Sequence, residues 1–107
     1  MMKMKACVVV LSRKWGVEIL KTLEKGPKTL NELTSATGGH VNTVRRRVLE
    51  LLECGLIEEV YFGHPPVRGF RLTRMGREVL DVVMELEKTL KVLYRAKEEA
   101  TAPAKMP

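Results

Sequence analysis

Several residue types are scarce in this sequence, and each scarcity excludes a class of protein. Glutamine is absent, Asp81 is the single aspartate, and cysteine occurs at positions 7 and 54 alone. Two distant cysteines provide neither a disulfide framework nor a CxxC metal box. No serine, histidine and acid constellation stands out, so we expect no enzyme. His40 and His64 lack neighbouring ligands, and we expect neither a metal nor another cofactor.

Long hydrophobic runs are also missing. Residues 6–11 (ACVVVL) form an apolar run that is too short for a secretory signal and lacks a cleavage pattern. No stretch approaches the roughly 20 apolar residues that a membrane span needs. We therefore expect a cytoplasmic protein with no membrane partner. The β-branched content of ACVVVL favours a strand, but its length equally permits one or two turns of helix.

Positive charge is plentiful and unevenly distributed. The net charge is +6 over 107 residues, a length that suits one domain with at most one appended element. Residues 1–73 hold 12 lysines and arginines against 7 acidic residues, whereas the remainder is nearly balanced. Such an excess favours polyanionic partners, nucleic acid above all. Abundant Glu, Lys, Arg and Val beside few amide side chains is typical of thermophiles.

The segment 41–56 (VNTVRRRVLELLECGL) predicts an amphipathic helix that stops at Gly55. Its valines and leucines recur at helical spacing and define a face to be buried. The polar residues point away from this face or flank it, so they could enter a DNA groove. The alternative is a surface helix with a solvated basic face. The polar residues concerned are Asn42, Thr43, Arg45, Arg46 and Arg47.

Two further helices are predicted before this segment. Ser12 is a candidate cap for a helix that Gly26 and Pro27 end. Thr29 and Glu32 form a capping box, which starts a short helix that ends near residues 38–39. Two helices joined by a glycine turn, the second one basic, have the layout of a helix-turn-helix.

A β-hairpin is predicted after Gly55. Residues 57–62 and 67–72 are rich in β-branched and aromatic residues, and the turn-forming sequence GHPP lies between them. Phe70 and Leu72 share the face expected to be buried, and Arg71 lies on the opposite face. Arg68 lies on the same strand face as Phe70, but it is near the turn, where its side chain can reach outward to solvent. A helix-turn-helix followed by a hairpin is a winged helix.

The last predicted helix spans residues 74–100, with Thr73 as its N-cap. Its apolar residues step by four and three positions, which predicts a coiled-coil dimer seam. The alternative is that the helix folds back on its own domain. The seam residues are Val79, Val83, Leu86, Leu90 and Leu93.

We therefore predict an α+β, mainly α, fold. Residues 1–73 form a winged helix-turn-helix domain, residues 74–100 form a long C-terminal helix, and residues 101–107 form a disordered tail.

Residues 14–80 resemble the HxlR-type winged-helix regulators. The resemblance rests on KWGVEILKTLEKGPKTLNEL and VLELLECGLIEEVYFGHPPVRGFRLTRMGREVL, with Lys-Trp, Gly-Pro, Asn-Glu-Leu, Pro-Pro in the wing and Leu-Thr-x-x-Gly. MarR- and ArsR-like repressors share this order of elements. Cys7 stands closer to Lys14 than the cysteine of the HxlR pattern stands to its Lys-Trp. We therefore interpret Cys7 as a packing residue and Cys54 as incidental.

The resemblance implies a homodimeric transcriptional regulator that binds specific sequences of double-stranded DNA. From the composition we expect a thermophilic, archaeal source. The third helix of the motif would enter the major groove, and the wing would touch the backbone or minor groove. The alternatives are an architectural, chromatin-like DNA-binding protein and a winged helix that contacts proteins. The expected DNA-binding residues are Lys28, Thr29, His40, Asn42, Thr43, Arg45, Arg46, Arg47, His64 and Arg68.

Overall fold

The computed structural model describes the backbone of residues 2–105 and the side chains of residues 4–99. Within these residues, helices and one antiparallel hairpin form a winged helix, as predicted. The elements in chain order are α1 (Met2–Ser12), α2 (Gly16–Leu23), α3 (Leu30–Thr37), α4 (Val41–Glu53), β1 (Ile57–Phe62), β2 (Val67–Leu72) and α5 (Arg74–Lys105).

The run ACVVVL is helical and belongs to α1. Ser12 is the last residue of α1, where its hydroxyl donates to the Val9 carbonyl at 2.7 Å. The prediction that Ser12 caps the next helix is therefore wrong, and Trp15 occupies the N-cap of α2 without a side-chain cap. A Cβ atom on Gly16 would lie 2.2 Å from the Val10 carbonyl oxygen. The two helices thus meet at a glycine where no side chain fits.

The capping box that starts α3 is confirmed. The Thr29 backbone N–H donates to Glu32 Oε1 at 2.9 Å, and the Glu32 backbone N–H donates to Thr29 Oγ1 at 3.2 Å. Helix α3 ends at Gly38, whose φ of 74° is a conformation that glycine adopts at low cost. The chain then turns directly into α4 through the N-cap residue His40.

A single apolar cluster fixes the position of α4. The cluster takes side chains from each of the five helices and both strands, and burial of each large aliphatic side chain contributes about 1.5–3 kcal/mol. The members of the cluster are Val10, Ile19, Leu20, Leu23, Leu33, Val44, Val48, Leu51, Leu56, Ile57, Phe70, Leu72 and Leu80.

The hairpin is anchored to the start of α3. Its pairing register runs from Ile57 opposite Leu72 at the base to Phe62 opposite Val67 beside the turn. Phe70 is buried, as predicted, and exchanges two backbone hydrogen bonds with Lys28, at 3.0 and 2.8 Å. The wing is therefore held in a fixed position relative to the helix-turn-helix.

Helix α5 begins as predicted and ends later than predicted. Thr73 caps it, because the Gly76 backbone N–H donates to Thr73 Oγ1 at 3.0 Å. The helix continues to Lys105, so residues 101–105 of the expected disordered tail are helical, whereas residues 106–107 lie outside the described residues. Alanines at positions 100, 102 and 104 favour a helix, whereas Pro103 between them lacks a backbone N–H and opposes it, so helix propensity alone does not account for this continuation. Among the described residues, no helix is both long and apolar enough to cross a bilayer.

Candidate nucleic-acid interface

The outer face of α4 consists of the side chains turned away from the core. They are exposed, whereas Val44 and Leu51 on the opposite side are fully buried. His40 Nδ1 accepts the Asn42 backbone N–H at 3.3 Å and thereby caps the helix, and Thr43 is half-buried beside the outer face. The outer face of α4 is formed by Asn42, Arg45, Arg46, Leu49 and Glu53.

Arg45 and Arg46 have no acidic partner among the described side chains, unlike the other arginines of α4 and of the wing. Arg13, Arg68 and Arg71 each pair with a glutamate at 2.5–2.8 Å. The guanidinium groups of Arg45 and Arg46 are therefore available to an external anion or to a base edge. Two unpaired cations on adjacent exposed positions create a local positive potential at the start of the helix.

Arg47 has a structural role, contrary to the expectation that it clamps a phosphate. It is only 8% exposed, its Nε donates to the Lys14 carbonyl at 3.0 Å, and its guanidinium pairs with Glu50. The periodicity contains the signal that would have revealed this, because at about 100° per residue Arg47 lies only about 60° from Val44 and 40° from Leu51. Arg47 thus ties α4 to the loop between α1 and α2.

Thr29, another of the residues expected to bind DNA, is the N-cap of α3. The capping box uses both the backbone N–H and the hydroxyl of Thr29, and it places the Glu32 carboxylate at the helix start. The hydrogen bond from the Thr29 backbone lowers the pKa of Glu32, so this carboxylate is ionised at neutral pH and repels a second anion. The Lys28 ammonium makes no ion pair in the described part of the chain and is half-buried.

The wing presents His64 in its turn and Arg68 on β2, both exposed. The Nε of Arg68 donates to Glu59 Oε2 at 2.5 Å, and its guanidinium lies 5.5 Å from the centre of the Phe70 ring. Exposed ion pairs of this kind contribute little stability, about 0–1 kcal/mol. Arg68 can therefore exchange Glu59 for a phosphate at low cost.

The two cysteines lie together, which the sequence did not indicate. Cys7 on α1 donates its thiol to the Cys54 carbonyl at 3.8 Å. Burial and the neighbouring Cys7 thiol raise the pKa of Cys54 to about 12. Since the thiolate is the reactive form, this favours packing over redox chemistry at Cys54. Within the described residues, no three or more His, Cys, Asp or Glu side chains are grouped to hold a metal.

The expected seam residues of α5 fall into two groups. Val79 packs against the core cluster and Val83 is half-buried, so the first turns of α5 lie on their own domain. Farther along, Leu86, Leu90 and Leu93 are 41–59% exposed and form a continuous apolar stripe.

Comparison with known proteins identifies the family. The model of the HxlR-like helix-turn-helix family matches residues 10–98. The chain is 32% identical over 83 residues to an uncharacterized HTH-type transcriptional regulator from Synechocystis sp.. The aligned region covers 76% of this chain and 62% of that protein. The chain thus spans less than two thirds of that relative's length.

Solved structures share the fold. A protein from Enterococcus faecalis V583 described as a MarR-family regulator has a TM-score of 0.76 at 22% identity, over 92% of this chain and 91% of that one. A winged helix-turn-helix DNA-binding domain from Mycobacterium bovis, described as homodimeric and as a possible ArsR-family regulator, has a TM-score of 0.67 at 18% identity, over 80% of this chain and 79% of that one. The family match runs from the end of α1 into α5. The chain belongs to the HxlR-like helix-turn-helix family of transcriptional regulators.

Proposed function

We propose that this protein regulates transcription by binding specific sequences of double-stranded DNA as a homodimer. The observation that carries the proposal is the outer face of α4. There, two arginines without acidic partners stand beside Asn42 on a helix whose opposite face is held by the core. A rigid helix that presents guanidinium and amide groups fits the major groove, which displays a distinct pattern for each base pair.

The residues of the outer face have separate roles in this proposal. Arg46 lies close to the direction of Asn42 and is suited to donate two hydrogen bonds to N7 and O6 of a guanine. Asn42 suits an adenine, and Thr43 can reach a base or a phosphate. Arg45 lies toward one edge of the face, where it would contact a phosphate and position the helix without reading sequence.

Contacts outside α4 would position the domain on the duplex. The His40 ring nitrogen that does not cap the helix can donate to a phosphate. The Lys28 ammonium adds positive charge beside the wing, although the nearby Glu32 carboxylate offsets part of it. His64 and Arg68 would meet the backbone or the minor groove from the wing. Each such contact to a phosphate releases counterions and adds to the salt dependence of binding.

The homodimer is proposed from the apolar stripe of α5. Three exposed leucines spaced by four and three positions, as in a heptad, would pair with the same stripe of a second copy in a coiled coil. The Mycobacterium bovis domain with the same fold is described as homodimeric. A two-fold symmetric pair of α4 helices would bind an inverted repeat whose half-sites are about one turn of DNA apart. The protein would then act in the cytoplasm, at the nucleoid.

The test is selection followed by fluorescence anisotropy. Fragments of the source genome, including the region upstream of the protein's own gene, are enriched on the immobilised protein. The best site is then compared with random duplex from low to physiological salt. We expect a preference of about a thousandfold that persists at physiological salt. Equal affinities that fall together with salt would support the architectural alternative, and no binding to any fragment would refute the proposal.

A further inference from the structure

Leu49 is a large apolar side chain in the centre of the outer face of α4. It is 56% exposed, although the other large aliphatic residues of this helix lie wholly or partly in the core. At about 100° per residue, Leu49 lies about 20° from the direction of Asn42 and about 160° from Leu51. Leu49 therefore lies on the side of α4 opposite the core, and more than half of its surface is open to solvent.

Its neighbours show what kind of surface Leu49 belongs to. Arg45 and Arg46 precede it by four and three residues, so both flank it on the helix surface. Leu49 also borders a groove of about 200 Å³ between α4 and the wing, where Arg45 and Arg68 supply cationic groups. An apolar side chain framed by cations suits a partner that is anionic at its edges and has an apolar group between them.

The partner that fits this pattern is the major groove at a thymine. Phosphates line the edges of the groove, and thymine carries a C5 methyl group on its floor. We propose that Leu49 reads a thymine in each half-site through contact with this methyl group. The inference rests on the proposed function, because it requires α4 to lie in the major groove.

The positions along α4 limit where this thymine lies. Leu49 is about 4.5 Å along the helix axis from Arg46, close to the 3.4 Å rise of one base pair. Glu53 follows one turn later on the same face, where its carboxylate would repel a phosphate. Leu49 is thus the last residue of the outer face suited to a base contact, and its thymine should lie one or two base pairs from the guanine assigned to Arg46.

Replacement of thymine by deoxyuridine tests this directly, because it removes the methyl group and keeps the base-pairing edge. Each thymine of the selected site is replaced singly, and anisotropy compares wild type, Leu49→Ala and Val92→Ala. Val92 is an exposed valine on the side of α5 away from the leucine stripe and serves as the matched apolar control. We expect one thymine per half-site at which deoxyuridine weakens wild type about threefold to fivefold. Leu49→Ala should bind the two bases equally, and Val92→Ala should behave as wild type.

Two results would overturn the inference and leave the proposed function intact. One is a wild-type protein that prefers the selected site but tolerates deoxyuridine at every position. The other is a Leu49→Ala variant, folded by circular dichroism, that keeps the discrimination. A wild type without any preference among duplexes would overturn both the inference and the proposed function.

Discussion

The three adjacent arginines of α4 have two different roles, because they point in different directions around the helix axis. Arg45 and Arg46 face solvent, where a guanidinium keeps its hydration at no cost. Arg47 faces the core and is stabilised there by a backbone carbonyl and by Glu50, which also pairs with Arg13. A cationic run in a sequence is therefore not equivalent to a cationic surface.

Replacement of Arg47 tests the structural role. Arg47→Met should lower the free energy of unfolding by about 2 kcal/mol, since the Lys14 carbonyl loses its donor and Glu50 keeps only Arg13 of its two arginine partners. Arg46→Met, the matched control on the exposed side, should stay within about 0.5 kcal/mol of wild type. Urea denaturation measures both. Equal stability of the two variants would contradict the assignment.

Replacement of Arg45 and of Arg46 should have different effects on DNA binding. Arg46→Ala should weaken the selected site more than random duplex, because it removes a base contact. Arg45→Ala should weaken both duplexes alike and should lower the slope of log affinity against log salt by about 1. Anisotropy titrations at several salt concentrations give both quantities. If each variant affected the two duplexes in the same proportion, the division into base and phosphate contacts would be refuted.

Local signals in the sequence predicted the elements well where those signals are strong. Turn residues, caps and periodicity predict the bounds of both strands, the capping box at Thr29 and the start of α4 near Val41. The structure confirms all of these. The helical state of ACVVVL could not be predicted, because a six-residue apolar run suits either state. Tertiary packing decides it, through Val10 in the core and the close contact at Gly16.

The candidate site also has features that the sequence predicts and features that it does not. The exposed positions on α4 follow from the 3.6-residue period alone, whereas the burial of Arg47 depends on a carbonyl 33 residues earlier in the chain. The proximity of Cys7 and Cys54 likewise depends on how α1 packs against α4. Contacts between elements distant in sequence leave no local pattern to read.

The capping box gives α3 a pH-dependent stability. Glu32 has a lowered pKa in the folded protein because the Thr29 backbone N–H donates to it. Its contribution is therefore present above the unfolded-state pKa of about 4.3 and is lost as the pH falls through the lowered value. Glu32→Gln should melt below wild type at pH 7, and the difference should vanish in acid.

Thermal melts by circular dichroism between pH 7 and pH 2 measure this difference. Glu24→Gln is the matched control, since Glu24 is exposed and makes no side-chain hydrogen bond or ion pair among the described residues. A melting difference for Glu32→Gln that stays constant with pH would show that the carboxylate charge has no part in the cap.

At the scale of the whole molecule, α5 projects from the winged-helix domain. The ion pair between Lys21 and Glu87 at 2.9 Å ties it to α2, and the molecule extends 65 Å along its longest axis. Beyond Glu87 the side chains of α5 are exposed through residue 99. In a monomer the apolar stripe of this projecting helix would face water, which is energetically unfavourable, so a partner that covers the stripe would stabilise it.

Disruption of this stripe should abolish the dimer. Leu86→Glu places a carboxylate at the centre of the seam, where both copies would bury like charges, so sedimentation should show monomers. Lys88→Glu, on the opposite side of α5, is the matched control and should remain dimeric. The monomer should bind the selected site far more weakly, since it engages one half-site, but should keep its affinity for random duplex within a few-fold. An unchanged mass for Leu86→Glu would mean that α5 packs through another surface.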